Sequence, residues 1–449
     1  MDTMAHQDIK LTDHSPISWV PSLYFAEALP YVAVMTLSVV MYTNLGLSNT
    51  ELALYTSWLY LPWVIKPLWS PVVDRFRTER WWILAMQLLI GASLAAVALT
   101  LRTELWLQLT LAAFWLMAFS SATHDIAADG FYILSLSAEK QALYVGIRST
   151  FYRIGTIFCQ GFLVLFVGAL QKGYIMIPCK IFPHIQYCRH TLPFPKQDDV
   201  HSWIWGFAVL SFLFLILAAY HSVKLPATDK PEVQARSIRD IGESFLLTLR
   251  AFFSKPHIVP ALLFMLLFRL PEAQLAKMAL PFMMRTADEG GLELSTAAVG
   301  FAYGTLGVIG LLAGGILGGW LVSLHGLRRW LWPMVMAISL PDAVYIYLSY
   351  AQPDSLWIIN TCVFVEQLGY GFGFTAYMLF LVYFARGEQS TSVFSICTAF
   401  QALGMMLPGM MAGYLADTLG WVNFFIWVCV CCLATFVVSA LVKLPDDVA

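Results

Sequence analysis

The chain has 449 residues, of which 59% are hydrophobic and only 12% are charged, and its formal net charge is -2. Soluble domains carry about 25% charged residues, so this composition excludes an ordinary water-soluble protein. The near-neutral charge and the lack of a long basic stretch argue against a nucleic-acid partner and make a lipid bilayer the expected environment.

The chain starts with a polar stretch, 1–18, and turns hydrophobic near Trp19. The hydrophobic stretch is about 25 residues long, which is too long for a signal peptide and long enough to cross a bilayer. Apolar segments of this kind recur along the whole chain. We predict twelve spans, at 19–43, 51–73, 80–101, 104–136, 141–169, 202–223, 256–286, 294–324, 329–350, 354–385, 388–416 and 420–443.

Two hydrophilic stretches interrupt the spans, and the second divides them into two sets of six. We therefore expect an all-α membrane protein with a cytoplasmic tail at 1–18 and a first bundle at 19–223 that includes an outer loop at 170–200. A cytoplasmic linker at 224–255, with an amphipathic helix, should lead to a second bundle at 256–449. Most Lys and Arg residues between spans then lie on the cytoplasmic side, which predicts that both termini are cytoplasmic.

Two of the eight cysteines, Cys179 and Cys188, lie in the predicted outer loop. They could form a disulfide if the loop faces an oxidising compartment, and free thiols are the alternative. His184 and His190 lie nearby, but the spacing fits no zinc pattern well, so no metal or other cofactor is expected.

A short loop is repeated in the two halves of the chain. The stretch 70-SPVVDRFRTERWW-82 follows the second span and 319-GWLVSLHGLRRWL-331 follows the eighth. When the two are aligned, Asp74 meets Ser323, Arg80 meets Arg329 and Trp81 meets Trp330. A duplicated six-helix half is typical of transporters that rock around a central site.

The repeated loop resembles motif A of the major facilitator superfamily, which reads roughly G-x-x-x-D-R/K-x-G-R/K-R/K. The first copy keeps Asp74 and Arg75. The residues that the second copy keeps are Gly319, Gly326, Arg328 and Arg329. The resemblance implies two pseudo-symmetric six-helix bundles, a small-molecule substrate and a monomeric carrier.

The stretch 124-HDIAADG-130 resembles the (Q)DI-x-x-D-[AG] element of the peptide–acetyl-CoA–drug family. Further stretches resemble its AmpG-type muropeptide permeases, among them 65-IKPLWSPVVDR-75, 148-RSTFYRIG-155 and 370-YGFGFTAYMLFLVYF-384. The resemblance implies import of an anionic muropeptide across a bacterial inner membrane, driven by protons, in peptidoglycan recycling. An acetyl-CoA or siderophore carrier of the same branch is the alternative.

Three ionisable residues in this stretch lie within the fourth span. Asp125 and Asp129 are four residues apart and so share one helix face, whereas the neighbouring His124 is rotated away from them. We expect Arg148 and Arg153 at a similar depth, together with Lys66. The favoured interpretation is a cluster of ion pairs at the inner gate. The alternative is that one aspartate carries the coupling proton.

The seventh span carries Arg269, Glu272 and Lys277 on one broad face, which must point to a cavity or to protein. Pro271 should kink the helix there. By resemblance, the first helix of each half lines the central cavity. Arg269 is then the candidate for binding a substrate carboxylate, with Lys277 beside it, and Glu272 is a candidate proton site. A local i,i+3 ion pair between Arg269 and Glu272 with only a structural role is the alternative.

The first span contributes Glu27 as a cavity-lining acid, with Tyr24 and Tyr31 as candidates for stacking on sugar rings. Glu366 is a further candidate for proton coupling, or for satisfying a buried arginine. A ridge of glycines predicts close packing of the eighth span. Its members are Gly300, Gly304, Gly307, Gly310, Gly314, Gly315, Gly318 and Gly319.

The sequence contains no Walker A loop, no H-E-x-x-H and no G-x-S-x-G. We therefore expect a secondary transporter driven by an ion gradient rather than an enzyme. A membrane receptor or scaffold without transport activity is the competing hypothesis. The cost of keeping ionisable groups in the membrane argues against it.

Overall fold

The computed structural model describes residues 15–178, 189–227, 238–387 and 390–444. Within these ranges the chain is almost entirely helical. The helices are α1 (Pro16–Asn44), α2 (Asn49–Trp58), α3 (Leu61–Arg75), α4 (Glu79–Thr100), α5 (Trp106–Ser135), α6 (Glu139–Lys172), α7 (Asp199–Lys224), α8 (Ile238–Phe253), α9 (Ile258–Met284), α10 (Thr296–His325), α11 (Leu327–Ala351), α12 (Leu356–Ala385), α13 (Ser392–Leu419) and α14 (Trp421–Leu441).

All of these helices except α2, α3 and α8 are long and apolar enough to cross a membrane, which gives eleven candidate spans in the described part of the chain. The predicted second span is a helix pair, α2 and α3, separated by Leu59 and Tyr60. Pro62 lies in the first turn of α3, where its missing N–H leaves no helical hydrogen bond unmade. Each predicted span thus corresponds to one helix, except the second, which corresponds to the pair α2 and α3.

Several spans depart from regular α-helix. Short π-helical segments occur at Ala33–Leu37 in α1, Ile157–Leu163 in α6 and Ala302–Gly307 in α10. Such segments are frequent at functional sites. In α9 the regular helix stops at Leu267 and restarts at Leu270, as Pro271 predicts, because a proline in the first turn cannot continue a preceding helix.

The predicted outer loop contains two short strands, β1 (Tyr174–Pro178) and β2 (Arg189–Pro193). They pair in an antiparallel sheet that places Tyr174 opposite Pro193 and Pro178 opposite Arg189. The expectation of an all-helical membrane domain holds, and the loop adds this small hairpin. Cys179 and Cys188 lie outside the described residues, so their disulfide stays a prediction.

Glycines allow close helix contacts, as the ridge in the eighth span predicts. A side chain at Gly304 of α10 would collide with the backbone of Gln160 in α6, and one at Gly314 would collide with the carbonyl of Leu368 in α12. In contrast, Gly319 on the same helix as Gly314 has no heavy atom within 4 Å of where a Cβ would lie.

This difference gives a matched stability test on one helix. Gly314→Ala should destabilise the protein by about 1–3 kcal/mol, because α10 and α12 must move apart to admit the methyl group. Gly319→Ala should cause no loss. Thermal unfolding in detergent measures both, and equal melting temperatures for the two variants would contradict the packing described here.

Candidate functional site

Five ionisable side chains from α1, α3, α5 and α6 meet at one place, which we call the acidic cluster. Lys66 forms an ion pair with Asp125, and Arg148 Nη2 lies 2.6 Å from Asp129 Oδ1. Glu27 joins them, because one carboxylate oxygen from each of the three acids lies within 4.8 Å of those of the other two. Glu27 is only 7% exposed and its Oε2 has no hydrogen-bond partner among the described residues.

Two predicted site residues, Tyr24 and Arg153, differ from their predicted surroundings. Tyr24, a candidate substrate contact, is fully buried and donates a 3.3 Å hydrogen bond to Asp129. Its ring also lies under the Arg148 guanidinium, at 4.3 Å. Arg153, expected beside the aspartates, forms no ion pair with them in the described part of the chain.

His124 lies in a separate buried network, consistent with its rotation away from Asp125. Gln87 Nε2 is 3.1 Å from His124 Nε2, and the amide oxygen of Gln87 is 2.9 Å from His221 Nδ1. His221 Nε2 in turn is 2.9 Å from the hydroxyl of Ser22. The amide can donate only through its nitrogen, so His124 accepts at Nε2 and His221 donates at Nδ1.

The second group of charges surrounds the break in α9, and we call it the arginine site. Arg269 is 7% exposed, and its Nη2 donates a 2.5 Å hydrogen bond to the hydroxyl of Tyr370. Its guanidinium lies 4.8 Å from the ring of Phe374. No ion pair joins Arg269 to Glu272 in the described structure, so the alternative of a local i,i+3 pair is not realised. The Nε of Arg269 is buried without a partner among the described residues.

Residues of the first half of the chain reach this site. Lys277 donates a 3.0 Å hydrogen bond to Thr56 of α2 and lies 5.3 Å from the ring of Tyr60. Tyr31 of α1 lies within electrostatic range of Arg269, and its ring is 5.4 Å from that of Trp63. The predicted candidates are therefore split between two places. Tyr31 lies near Arg269 and Lys277 lies against Tyr60, whereas Glu27 belongs to the acidic cluster and Tyr24 contacts it.

Acids of the second half form a further buried group. Glu366 is 2% exposed, and Gln367 Nε2 lies 3.2 and 3.0 Å from its two carboxylate oxygens. Gln367 also donates to the hydroxyl of Tyr303. Glu272 and Asp342 lie within electrostatic range of Glu366. No arginine forms an ion pair with Glu366 in the described chain, so the observed contacts do not support the alternative that it satisfies a buried arginine.

The structure describes the side chains of some motif A residues but not of others. Arg80 donates to the carbonyl of Ser222 at 2.5 Å. Gly326 joins α10 to α11 with a φ of 74°, a conformation that glycine adopts without strain. Arg328 and Arg329 follow in the first turn of α11. Asp74 and Arg75 end α3, and their side chains lie outside the described part.

At one end of the bundle, hydrogen bonds join the first half of the chain to the second, and we call this set of contacts the latch. The carboxylate of Asp417, on α13, accepts hydrogen bonds from Asn49 Nδ2 at 2.8 Å and from the backbone and hydroxyl of Thr50 at 2.9 and 2.6 Å. Arg285 donates to Asn49 and to the carbonyl of Leu47. At the opposite end, the ion-paired side chains of the acidic cluster remain 24–39% exposed.

The comparison with known proteins identifies the family. The family model described as Major Facilitator Superfamily matches residues 22–407. The chain belongs to this superfamily. It is 26% identical over 380 residues to the anhydromuropeptide permease of Escherichia coli strain K12, covering 81% of this chain and 67% of that protein.

Two further matches agree with this assignment. The putative transporter AmpG 4 of Rickettsia conorii strain Malish 7 is 24% identical over 390 residues, covering 85% of this chain and 86% of that protein. A point mutant of the nucleoside transporter NupG superposes with a TM-score of 0.70 at 13% identity, covering 95% of this chain and 99% of that one. The predicted major facilitator fold and the AmpG-like resemblance are confirmed, and the chain is a multi-pass membrane protein of a transporter family.

The ion pair between Lys66 and Asp125 can be tested by a double-mutant cycle. Lys66→Met should destabilise the protein because it leaves the Asp125 carboxylate without its cation, and adding Asp125→Asn should recover much of the loss. We expect a coupling of about 0.5–3 kcal/mol, typical of residues in one charged network. Unfolding in detergent measures it, and additive effects would contradict the pairing.

Removing the hydrogen bonds of the latch should open the end of the bundle at which they lie. Asp417→Ala should lengthen the distance between spin labels on Glu51→Cys and Thr418→Cys in a cysteine-free chain, because α13 loses its bonds to Asn49 and Thr50. The dipolar coupling between the two spin labels, recorded by electron paramagnetic resonance, measures this distance. Asp354→Ala, which removes an exposed acid elsewhere, is the control, and an unchanged distance in Asp417→Ala would rule out the latch.

Proposed function

We propose that this protein is a proton-coupled secondary transporter that imports anhydro-muropeptides across a bacterial inner membrane and has no enzymatic activity. The observation that carries the proposal is the arginine site. A buried guanidinium with a free Nε, beside Tyr370 and Phe374, suits a ligand that combines a carboxylate with sugar rings. The similarity to a permease named for anhydromuropeptides supports this choice of ligand.

The domain division at 224–255, the monomeric state and the cytoplasmic location of both termini are parts of this proposal. With that orientation the latch lies on the outer side of the membrane and the acidic cluster on the cytoplasmic side. The latch contacts then close the outer entrance, and the cluster is reached from the cytoplasm. Transport requires the latch to open while the cytoplasmic ends of the two bundles come together.

The positions of Arg269, Lys277 and Tyr31 support their assignment to the substrate site. Lys277 joins α9 to α2 and Tyr31 brings in α1, so substrate bound at Arg269 would contact both halves. Such contacts let a ligand favour one orientation of the halves over the other. In this proposal Glu272 and Glu366 form a separate acidic group beside the substrate site.

The charges around Arg269 distinguish this proposal from an acetyl-CoA carrier of the same branch. Phosphate groups are usually bound by several converging cations. Here Lys277 lies eight residues, about 12 Å, along α9 from Arg269 and donates to Thr56, so these two cations do not converge on one point. This arrangement suits one carboxylate better than several phosphates.

Uptake of labelled anhydro-muropeptide into proteoliposomes, with and without a proton gradient, tests the proposal. Arg269→Ala should lower uptake by about tenfold or more, since a hydrogen bond to a charged group contributes about 1.5–3 kcal/mol. Arg269→Lys should recover only part of it, because an ammonium cannot form the bidentate contact.

The matched control is Arg102→Ala, which removes an exposed arginine from the turn between α4 and α5. It should transport like the unaltered protein. Uptake of acetyl-CoA or a siderophore in place of muropeptide would refute the substrate assignment. Full activity of Arg269→Ala would refute the role of the arginine site.

A further inference from the structure

The acidic cluster has an unequal number of positive and negative groups. Three carboxylates, those of Glu27, Asp125 and Asp129, face two cations, Lys66 and Arg148. If every group is charged, one negative charge remains without a counterpart inside the membrane-spanning part of the protein. Such a charge is costly there, so the cluster needs one further positive charge, supplied by a proton or a bound cation.

The contacts show which acid lacks a cation. Asp125 is paired with Lys66, and Asp129 is paired with Arg148 and also accepts a hydrogen bond from Tyr24. Glu27 has no ion pair in the described part of the chain, and its Oε2 is buried without a partner. Glu27 is also the least exposed of the three acids.

Among the described residues, the neighbours of Glu27 supply no cation beyond Lys66 and Arg148. Gly155 of α6 lies so close to α1 that an added Cβ would be 2.9 Å from the Cβ of Ala28, one residue beyond Glu27. The ionisable groups that face Glu27 come from each helix packed around it: Tyr24, Lys66, Asp125, Asp129, Arg148 and Tyr152. His221 of α7 is occupied by Gln87 and Ser22.

A proton fits this arrangement better than a metal ion. A carboxylate oxygen of Glu27 lies within 4.8 Å of one of Asp125, and two carboxylates held this close in a buried site repel each other unless one of them is protonated. A metal ion in the same place would sit beside the Lys66 ammonium and the Arg148 guanidinium. Asp125 and Asp129 already direct oxygens to these two cations.

We propose that Glu27 is the coupling site of this transporter, and that it holds a single proton where it faces Asp125. This inference rests on the proposed proton-coupled transport and moves Glu27 from the substrate-binding residues to the coupling residues. Loading forms an O–H bond on the Glu27 carboxylate as an O–H bond of a hydronium ion breaks. Release returns the proton to water and leaves Glu27 free to compete with Asp129 for Arg148.

The first test needs no substrate. Infrared difference spectra of the purified full-length protein, recorded between acidic and alkaline pH, should show the loss of a protonated-carboxyl band as the pH rises. Glu27→Gln should lack this contribution, Glu27→Asp should retain a carboxyl band, and Glu104→Gln, an exposed acid, should match the unaltered protein. Identical spectra for Glu27→Gln and the unaltered protein would overturn the assignment.

The second test separates coupling from transport. In proteoliposomes, Glu27→Gln should still exchange labelled muropeptide for unlabelled muropeptide but should no longer accumulate it against a gradient when a pH difference is imposed. If instead Glu272→Gln or Glu366→Gln shows this pattern and Glu27→Gln accumulates normally, the coupling site lies elsewhere. Accumulation driven by a sodium gradient alone would show that the ion is not a proton.

The two tests fail independently. If the unaltered protein exchanges no muropeptide, the proposed substrate is wrong, while the infrared spectra still decide whether Glu27 holds a proton. If exchange works and the Glu27→Gln spectra and accumulation are unchanged, the proposed substrate stands and the coupling site is refuted.

Discussion

Inside a bilayer a polar group has no water to bond, so the protein itself must supply its partners. Several buried polar side chains of the described chain follow that constraint. Gln87 links two histidines, Thr56 accepts from Lys277, and Tyr370 accepts from Arg269. Several buried polar atoms of the described chain depart from it. Three of them belong to charged side chains, the Oε2 of Glu27 and the Nε atoms of Arg80 and Arg269, and we assign a proton to Glu27 and a substrate to Arg269.

Much of the architecture could be predicted from the sequence because hydrophobic length and loop charge are local properties. The twelve spans, the break at Pro271 and the shared face of Asp125 and Asp129 depend on residues close together in the chain. The repeated loop and the 124-HDIAADG-130 stretch indicated the family. The interrupted second span was missed because Leu59 and Tyr60 are as compatible with a continuous helix as with a break.

Contacts between distant parts of the chain could not be predicted. The latch joins Thr50 to Asp417 across 367 residues, and neither residue stands out in composition or motif. Glu27 was predicted to line the substrate cavity, because its helix faces the centre. Its place beside two aspartates depends on how α1 packs on α5 and α6. The aromatic pair beside Arg269 had a detectable pattern, since Tyr370 and Phe374 are four residues apart and share a helix face.

The break between α2 and α3 has a consequence for how the two ends of the molecule communicate. The α2 segment is held to α13, where Gly409 and Gly413 allow close approach, whereas α3 carries Lys66 to Asp125. A continuous helix would behave as a rigid lever and pass any tilt of its latch end to the lysine. The two-residue interruption breaks that lever, which would let the contacts at the latch open and close without dissociating the Lys66–Asp125 pair.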